Sequence, residues 1–151
     1  VTDADWASMA SLGFDVVRLT LSWSSLEPTR GTLDAGYVRR IHQAVRAATA
    51  HGIYVVLDMH QDAWGKFIAT PRGASCPAGK EAAIGWDGAP KWATLTGDAD
   101  TGRDPGQRES SPAVHAAFES FYDDRDGIRT ALVDTWGKLA AEFGDDPAVA
   151  G

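Results

Sequence analysis

The chain has 151 residues, of which 44% are hydrophobic and 23% are charged, proportions typical of a globular protein. Its formal net charge of −7 argues against nucleic acid as a partner, because binding to phosphates requires clustered lysine and arginine. No apolar run approaches the length of a bilayer, so no membrane span is predicted. Cys76 is the only cysteine, which excludes a disulfide within the chain and a zinc site of paired cysteines.

The first predicted element is a helix that begins at the capping-box pair Thr2 and Asp5 and ends at Gly13. Its apolar positions are Trp6, Met9 and Leu12. A strand follows from Phe14 to Trp23, because apolar and polar residues alternate there. One face carries Val17, Leu19, Leu21 and Trp23, and the other carries Val16, Arg18, Thr20 and Ser22. The second face is therefore a polar row, which we expect on the inner side of the sheet.

A second helix and a second strand complete a βαβ unit. Asp34 is predicted to cap a helix that ends near His51 and Gly52. The apolar positions of this helix are Val38, Ile41, Val45 and Ala48. The run from Ile53 to Met59 is β-branched and apolar, as in buried parallel strands. The lengths of the connections suit a parallel sheet.

A long connection separates this unit from the last helix. From Ala63 to about Asp126 the chain is rich in glycine, proline, serine and aspartate, with one helix-like piece from Ala113 to Tyr122. So long a connection is uncommon in a compact domain unless it has a function. The last helix ends at Gly144, and its core positions are Ile128, Ala131, Leu132, Thr135, Trp136, Leu139 and Phe143. A further strand is predicted to begin in Ala148 to Gly151, so we expect a fragment of a larger α/β domain.

The clearest chemical feature is the stretch Asp58-Met59-His60-Gln61-Asp62 at the end of the second strand. A period of two places Asp58, His60 and Asp62 on one face. His60 and Asp62 then lie at the carboxyl end of the strand, where parallel α/β proteins bind ligands. Arg18 lies lower on the same inner face, where a charge is costly unless it is paired. A structural ion pair of Asp58 with Arg18 and a role in supporting a site are both consistent with this placement.

Other roles for these side chains stay open. A His-x-Asp pair on a strand can supply two metal ligands, so a metal-dependent barrel hydrolase using His60 and Asp62 is an alternative. Nothing else in the chain completes a ligand set, and no metal is predicted. His60 is also consistent with a core histidine bonded to the backbone.

Aromatic residues of the loops form a second set of candidates. They are Trp23, Trp64, Trp86, Trp92, Phe121 and Tyr122. Flat apolar rings suit the C–H faces of sugars, whose hydroxyls would bond to Gln61, Asp62 and Lys66. Each loop tryptophan is equally consistent with anchoring its own loop. Trp6 and Trp136 have helix-core spacing and are assigned to packing.

At these residues the sequence resembles glycoside hydrolase family 5, and within it the endoglycoceramidase-related bacterial branch. The matching stretches are Gly13 to Leu19, Ser22-Trp23, Leu26 to Pro28, Gly52 to Asp62, Asp87 to Pro90, Trp92-Ala93 and Trp136 to Gly151. The resemblance implies a (β/α)8 TIM barrel, which takes roughly 250 residues. Residues 1–151 would then be part of one catalytic domain, from helix 1 through helix 3 with strands 2 and 3. Residues 63–127 would be the loop after strand 3.

The resemblance also implies a mechanism. Two glutamates roughly 5 Å apart act as nucleophile and acid/base in retaining glycosidases. In this family the acid/base follows an asparagine in an Asn-Glu-Pro motif on strand 4, and the nucleophile belongs to strand 7. We therefore expect both beyond Gly151, with β-glucosides, glycolipids or related glycans as substrates and no activity in the isolated chain. A non-catalytic sugar-binding remnant is a further alternative.

Three residues match functional positions of the family. Arg18 resembles the arginine that supports the nucleophile, His60 the histidine that lines the subsite of the cleaved sugar, and Asp62 the carboxylate that binds sugar hydroxyls. Tyr122 stands where a tryptophan is expected, and the insertion from Ala63 to Arg108 is longer than usual, which leaves the aglycone open. The expected site residues are Arg18, His60, Gln61, Asp62, Trp23, Trp64, Lys66, Trp86 and Tyr122.

The expected partner is a carbohydrate or glycolipid, with no cofactor. The resemblance slightly favours a secreted protein, while the sequence leaves the compartment and the oligomeric state open.

Overall fold

The computed structural model describes all 151 residues. Its strands are β1 (Val16–Ser22) and β2 (Tyr54–His60). Its α-helices are α1 (Asp3–Ser11), α2 (Trp23–Leu26), α3 (Ala35–Ala50), α4 (Pro112–Tyr122) and α5 (Ile128–Phe143). Single 3-10 turns occupy Lys66–Ile68, Lys91–Ala93, Arg108–Ser110 and Arg125–Gly127. None of the helices combines the length and the apolar character that crossing a membrane requires.

Two of the helices begin at the caps that the sequence predicts. The amide of Tyr37 donates to the Asp34 side chain at 2.6 Å, at the start of α3. At the start of α1, the amide of Thr2 donates to the Asp5 carboxylate, also at 2.6 Å. Such contacts stabilise a helix start, where backbone N–H groups lack partners within the helix. The predicted bounds of α3, α4 and α5 are confirmed to within one residue.

The strands form a parallel sheet in chain order. β1 pairs with β2 in parallel, with Val16 beside Tyr54 and Ser22 beside His60. Beyond β2, the Val55 amide donates to the Ala148 carbonyl at 2.8 Å and the Leu57 amide donates to the Gly151 carbonyl at 2.7 Å. The predicted βαβ unit is therefore confirmed, and where a third strand is predicted the chain forms a single parallel bridge between Val55 and Val149. β1 is connected to β2, and β2 to the segment at Ala148, by stretches of chain that contain helices, as in a barrel.

The outer face of the sheet packs against α3 and α5. This core contains Leu21, Val55, Leu57, Ile41, Val45, Ala48, Leu139 and Phe143, with Trp6 of α1. The assignment of Trp6 to packing is confirmed, whereas that of Trp136 is wrong, because the Trp136 side chain is 37% exposed. The buried stripe of α5 includes Thr135 and Leu139. Trp136 lies about 100° further round the helix and so points beyond that stripe.

The end of β1 differs from the prediction. Trp23 does not continue the strand but begins the four-residue helix α2, which the alternating pattern did not reveal. The chain therefore turns at Ser22, and the Trp23 side chain leaves the outer face of the sheet. It enters a second core, where its ring meets Trp92 edge-on at a centroid distance of 5.2 Å.

That second core gives the long connection a defined structure. It contains Trp23, Trp64, Ile68, Ala83, Ala89, Ala93, Val114, Ala117 and Ile128. Two loop segments touch at Gly88, where an added Cβ would lie 2.1 Å from the Trp64 carbonyl oxygen. The Ala89 amide donates to this same oxygen at 2.8 Å. The core residues of the long connection therefore have fixed positions against Trp23 and Ile128, which lie outside it.

Glu27 joins the two cores and is 1% exposed. One of its carboxylate oxygens accepts the Trp23 indole N–H at 3.0 Å and also the Thr135 hydroxyl. The other oxygen accepts the Gly31 amide. The Glu27 carbonyl accepts the Trp92 indole N–H at 3.0 Å. This residue therefore links α2, the following turn, the long connection and α5 through hydrogen bonds to its carboxylate and its carbonyl.

Candidate functional site

The predicted polar row occupies the open face of the sheet. The Oδ2 atom of Asp58 lies 3.3 Å from Arg18 Nε and 3.4 Å from His60 Nδ1. This oxygen is itself buried and has no directed hydrogen bond, so nearby positive charge is what compensates it. The shared face of Asp58 and His60 is confirmed. Asp58 of β2 therefore contacts both Arg18 of β1 and His60 farther along β2.

Arg18 forms the predicted pair with Asp58, and it is the more exposed of the two residues. Its side chain is 68% exposed, against 27% for Asp58. The contact with Asp58 places the guanidinium on the same face as His60.

Asp62 lies just beyond β2 and has an arginine partner that the sequence did not reveal. Arg108 Nη1 contacts the Asp62 carboxylate in a short ion pair. The Arg108 guanidinium also lies over the Trp86 ring, 4.8 Å from its centroid. The Asp62 amide donates to the Asp87 carbonyl at 2.9 Å, which holds the loop carrying Trp86 beside the end of the strand. Asp62, Trp86 and Arg108 form one group.

Gln61 and Lys66 are both exposed. The Gln61 side-chain oxygen accepts the Trp64 amide at 2.9 Å, so this side chain orders the turn after β2. Lys66 begins a 3-10 turn whose backbone touches Gly85, where an added Cβ would lie 2.3 Å from the Lys66 carbonyl oxygen. The Lys66 ammonium makes its close contact with the Phe67 ring and not with Asp62.

The expected aromatic residues divide into a packed set and an open set. Trp23 and Trp64 are 3% and 4% exposed, so neither offers an open ring face to a sugar. Their edges, with His60 and Gln61, line a cavity of about 170 Å³. Trp86 and Tyr122 are exposed, and Tyr122 continues a row of rings through Phe118 to Trp64.

The arrangement bears on the metal alternative. His60 faces Asp58, whereas Asp62 faces Arg108. No group of three or more histidine, cysteine, aspartate or glutamate side chains in the chain is placed to hold a metal ion. A two-ligand set leaves a zinc or similar ion without the three or four protein ligands that such sites use.

Comparison with known proteins identifies the family. The family model described as Cellulase (glycosyl hydrolase family 5) matches residues 2–150. The chain belongs to glycosyl hydrolase family 5. This confirms the resemblance inferred from the sequence, and with the parallel strand order it establishes part of a (β/α)8 barrel as the fold.

Solved structures and curated relatives agree on the branch. A crystal structure of endogalactoceramidase is 58% identical with a TM-score of 0.97, covering 100% of this chain and 33% of that one. Endo-glycoceramidase II from Rhodococcus sp., as a lactosyl-enzyme intermediate, is 34% identical with a TM-score of 0.81, covering 98% and 33%. The endoglycoceramidase of Cyanea nozakii is 29% identical over 175 residues, covering 99% and 31%. The chain therefore spans about a third of the length of these glycosyl hydrolases.

Proposed function

We propose that the protein carrying this chain hydrolyses the O-glycosidic bond between a glycan and ceramide, and that this chain supplies part of its sugar-binding surface. Family membership supports the reaction class. The names of the relatives, endogalactoceramidase and endoglycoceramidase, support ceramide as the aglycone. The greater identity to the endogalactoceramidase favours galactose as the sugar joined to ceramide.

The observation that carries the proposal is the placement of His60 and Asp62 at the carboxyl end of β2. Because His60 Nδ1 faces Asp58, its Nε2 is left for a sugar hydroxyl. Asp62 is held by Arg108 and keeps oxygen lone pairs for a second hydroxyl. Both acids of the site, Asp58 and Asp62, are paired with arginine side chains, an arrangement that suits the positioning of a sugar.

The catalytic pair is proposed to lie outside these residues. Retaining glycosidases use two carboxyl groups roughly 5 Å apart, and in this family one follows asparagine in Asn-Glu-Pro. The chain contains no asparagine, so this motif is not among its residues. We expect the isolated 151 residues to show no glycosidase activity, and measurable turnover by the purified chain would contradict this.

The experiment uses the full-length protein with digalactosylceramide and lactosylceramide, whose first sugars are galactose and glucose. Mass spectrometry of the products should show an intact disaccharide and free ceramide, with digalactosylceramide the better substrate. Release of monosaccharides alone, or no hydrolysis of either lipid, would contradict the proposal.

Variants test the site itself. We expect His60→Ala and Asp62→Asn to lower kcat/KM by about tenfold or more, since the first removes a hydrogen bond to the sugar and the second removes the charge that strengthens one. The matched controls are His115→Ala and Asp98→Asn, because both of these side chains are exposed and neither takes part in a hydrogen bond or ion pair. Equal activity of the site variants and the controls would refute the assigned roles.

A further inference from the structure

Arg108 reaches the candidate site from the long connection, 46 positions along the chain from Asp62. We infer that Arg108 is a specificity-determining residue: it holds the Asp62 carboxylate in place and donates to the sugar hydroxyl next to the one that Asp62 binds. This inference rests on the proposed function, and it adds a residue that the strand motif does not contain.

Arg108 has donors to spare for a ligand. A guanidinium carries five N–H groups in a rigid fork. The only protein acceptor bonded to Arg108 is the Asp62 carboxylate, and the Arg108 side chain is 43% exposed. Its remaining N–H groups therefore open to solvent beside the acceptor oxygens of Asp62. A neighbouring acceptor and donor pair matches two adjacent hydroxyls of a sugar ring, each of which can donate or accept.

Trp86 has a different role in this arrangement from the sugar platform that the sequence suggested. One face of its ring is covered by the Arg108 guanidinium, at 4.8 Å from the ring centroid. A cation over an indole ring is stabilised by the ring's quadrupole. Trp86 therefore restricts the movement of the guanidinium and keeps it beside Asp62.

The backbone around Arg108 is anchored on its C-terminal side. The Ser110 hydroxyl accepts the Asp104 amide at 2.7 Å and donates to the Gln107 carbonyl at 3.0 Å. Ser111 is fully buried, and its hydroxyl donates to the Asp100 carbonyl at 3.2 Å. The 3-10 turn that carries Arg108 is thus attached to the packed part of the loop, and this attachment fixes the position of the Arg108 backbone.

A purely structural role for the pair is less consistent with its exposure. Ion pairs with solvent access contribute little to folding stability. Asp62 is 23% exposed and Arg108 is 43% exposed, and both project past the end of the strand. A contact that stabilises the fold only weakly, yet is held by an aromatic ring and an anchored turn, is suited to positioning a ligand.

The test compares Arg108→Gln and Arg108→Lys in the full-length protein. The substrates are digalactosylceramide and monodeoxy derivatives of its outer galactose, and a lactosylceramide series is used if only that lipid is hydrolysed. We expect R108Q to raise KM about tenfold or more while kcat changes less than about twofold, since a charge-assisted hydrogen bond is lost. R108K should recover part of the loss, because it keeps the charge but not the fork. The control Arg125→Gln alters an exposed arginine paired with Asp123 at 3.1 Å and should leave both constants unchanged.

The deoxy substrates separate recognition from structure. Removal of one particular hydroxyl of the outer galactose should raise KM about tenfold in the native protein but not in R108Q. The reason is that this hydroxyl and the Arg108 donor belong to the same contact. The inference is overturned if the effects of R108Q and of every deoxygenation on KM are additive in free energy. It is also overturned if R108Q leaves KM unchanged while Asp62→Asn raises it. In both cases the proposed function stands. If neither R108Q nor Asp62→Asn alters KM, the inference and the assigned role of Asp62 both fall. If neither lipid is hydrolysed by the native protein, the proposed function fails, and the inference falls with it.

Discussion

Replacing Glu27 by glutamine should leave one buried hydrogen-bond donor without an acceptor. The native carboxylate accepts from the Trp23 indole, the Thr135 hydroxyl and the Gly31 amide. A glutamine amide has one oxygen and one N–H2 group. If the glutamine oxygen accepts the hydrogen bonds from Trp23 and Thr135, its N–H2 group faces the Gly31 amide, which is also a donor. If the side-chain amide of the glutamine is flipped, its N–H2 group faces the Trp23 indole N–H. In either orientation two hydrogen-bond donors face each other.

The size of the effect follows from the burial of the site. A buried donor without an acceptor costs about 1–3 kcal/mol. Glu27 is 1% exposed, so water does not replace the lost acceptor. We expect E27Q to lower the free energy of local opening by that amount, which corresponds to a roughly 5- to 140-fold faster exchange of amide hydrogens.

Hydrogen exchange measured by mass spectrometry on the full-length protein provides the assay. The peptides of interest cover Trp23 to Gly31 and Ile128 to Phe143, which meet at the Glu27 carboxylate. The control is Glu119→Gln, since Glu119 is exposed on α4 and its side chain makes no hydrogen bond. Exchange in both peptides within about twofold of the native protein would refute the acceptor argument.

Three further predictions concern glycines and pH. Gly88→Ala should lower the unfolding free energy by about 1–3 kcal/mol and reduce Tm, because its Cβ would lie 2.1 Å from the Trp64 carbonyl oxygen; an unchanged Tm would contradict this. Gly137→Ala, in the middle of α5 with open space around it, should instead raise the unfolding free energy by about 0.5–1 kcal/mol and increase Tm. The Thr130 hydroxyl and amide hold the pKa of Asp124 below its usual value. The Asp124 carboxylate should therefore stabilise the fold above about pH 3.9 and lose this effect as the pH falls through the lowered pKa. NMR titration should show that pKa rising toward the ordinary value in Thr130→Val, and no change would contradict the assignment.

The regular elements could be predicted because their signals are local. Asp34 caps α3, and the strand period places Asp58 and His60 together, since each pattern repeats within a few residues. The turn at Trp23 was missed because a four-residue helix has too few residues to show a period. The exposure of Trp136 was missed because a helical pattern gives the apolar stripe but not its edges.

The sequence by itself determined the family, the parallel βαβ order and the strand that carries His60 and Asp62, because alternation and helical period are written in neighbouring residues. Only the tertiary structure decided which side chains meet across the long connection. Arg108 contacts Asp62 at a sequence separation of 46 residues, and Glu27 contacts Thr135 at a separation of 108 residues. Such contacts depend on the path of a loop that has no periodic signal, and on packing partners that are distant in the chain. Local residue patterns carry no record of either.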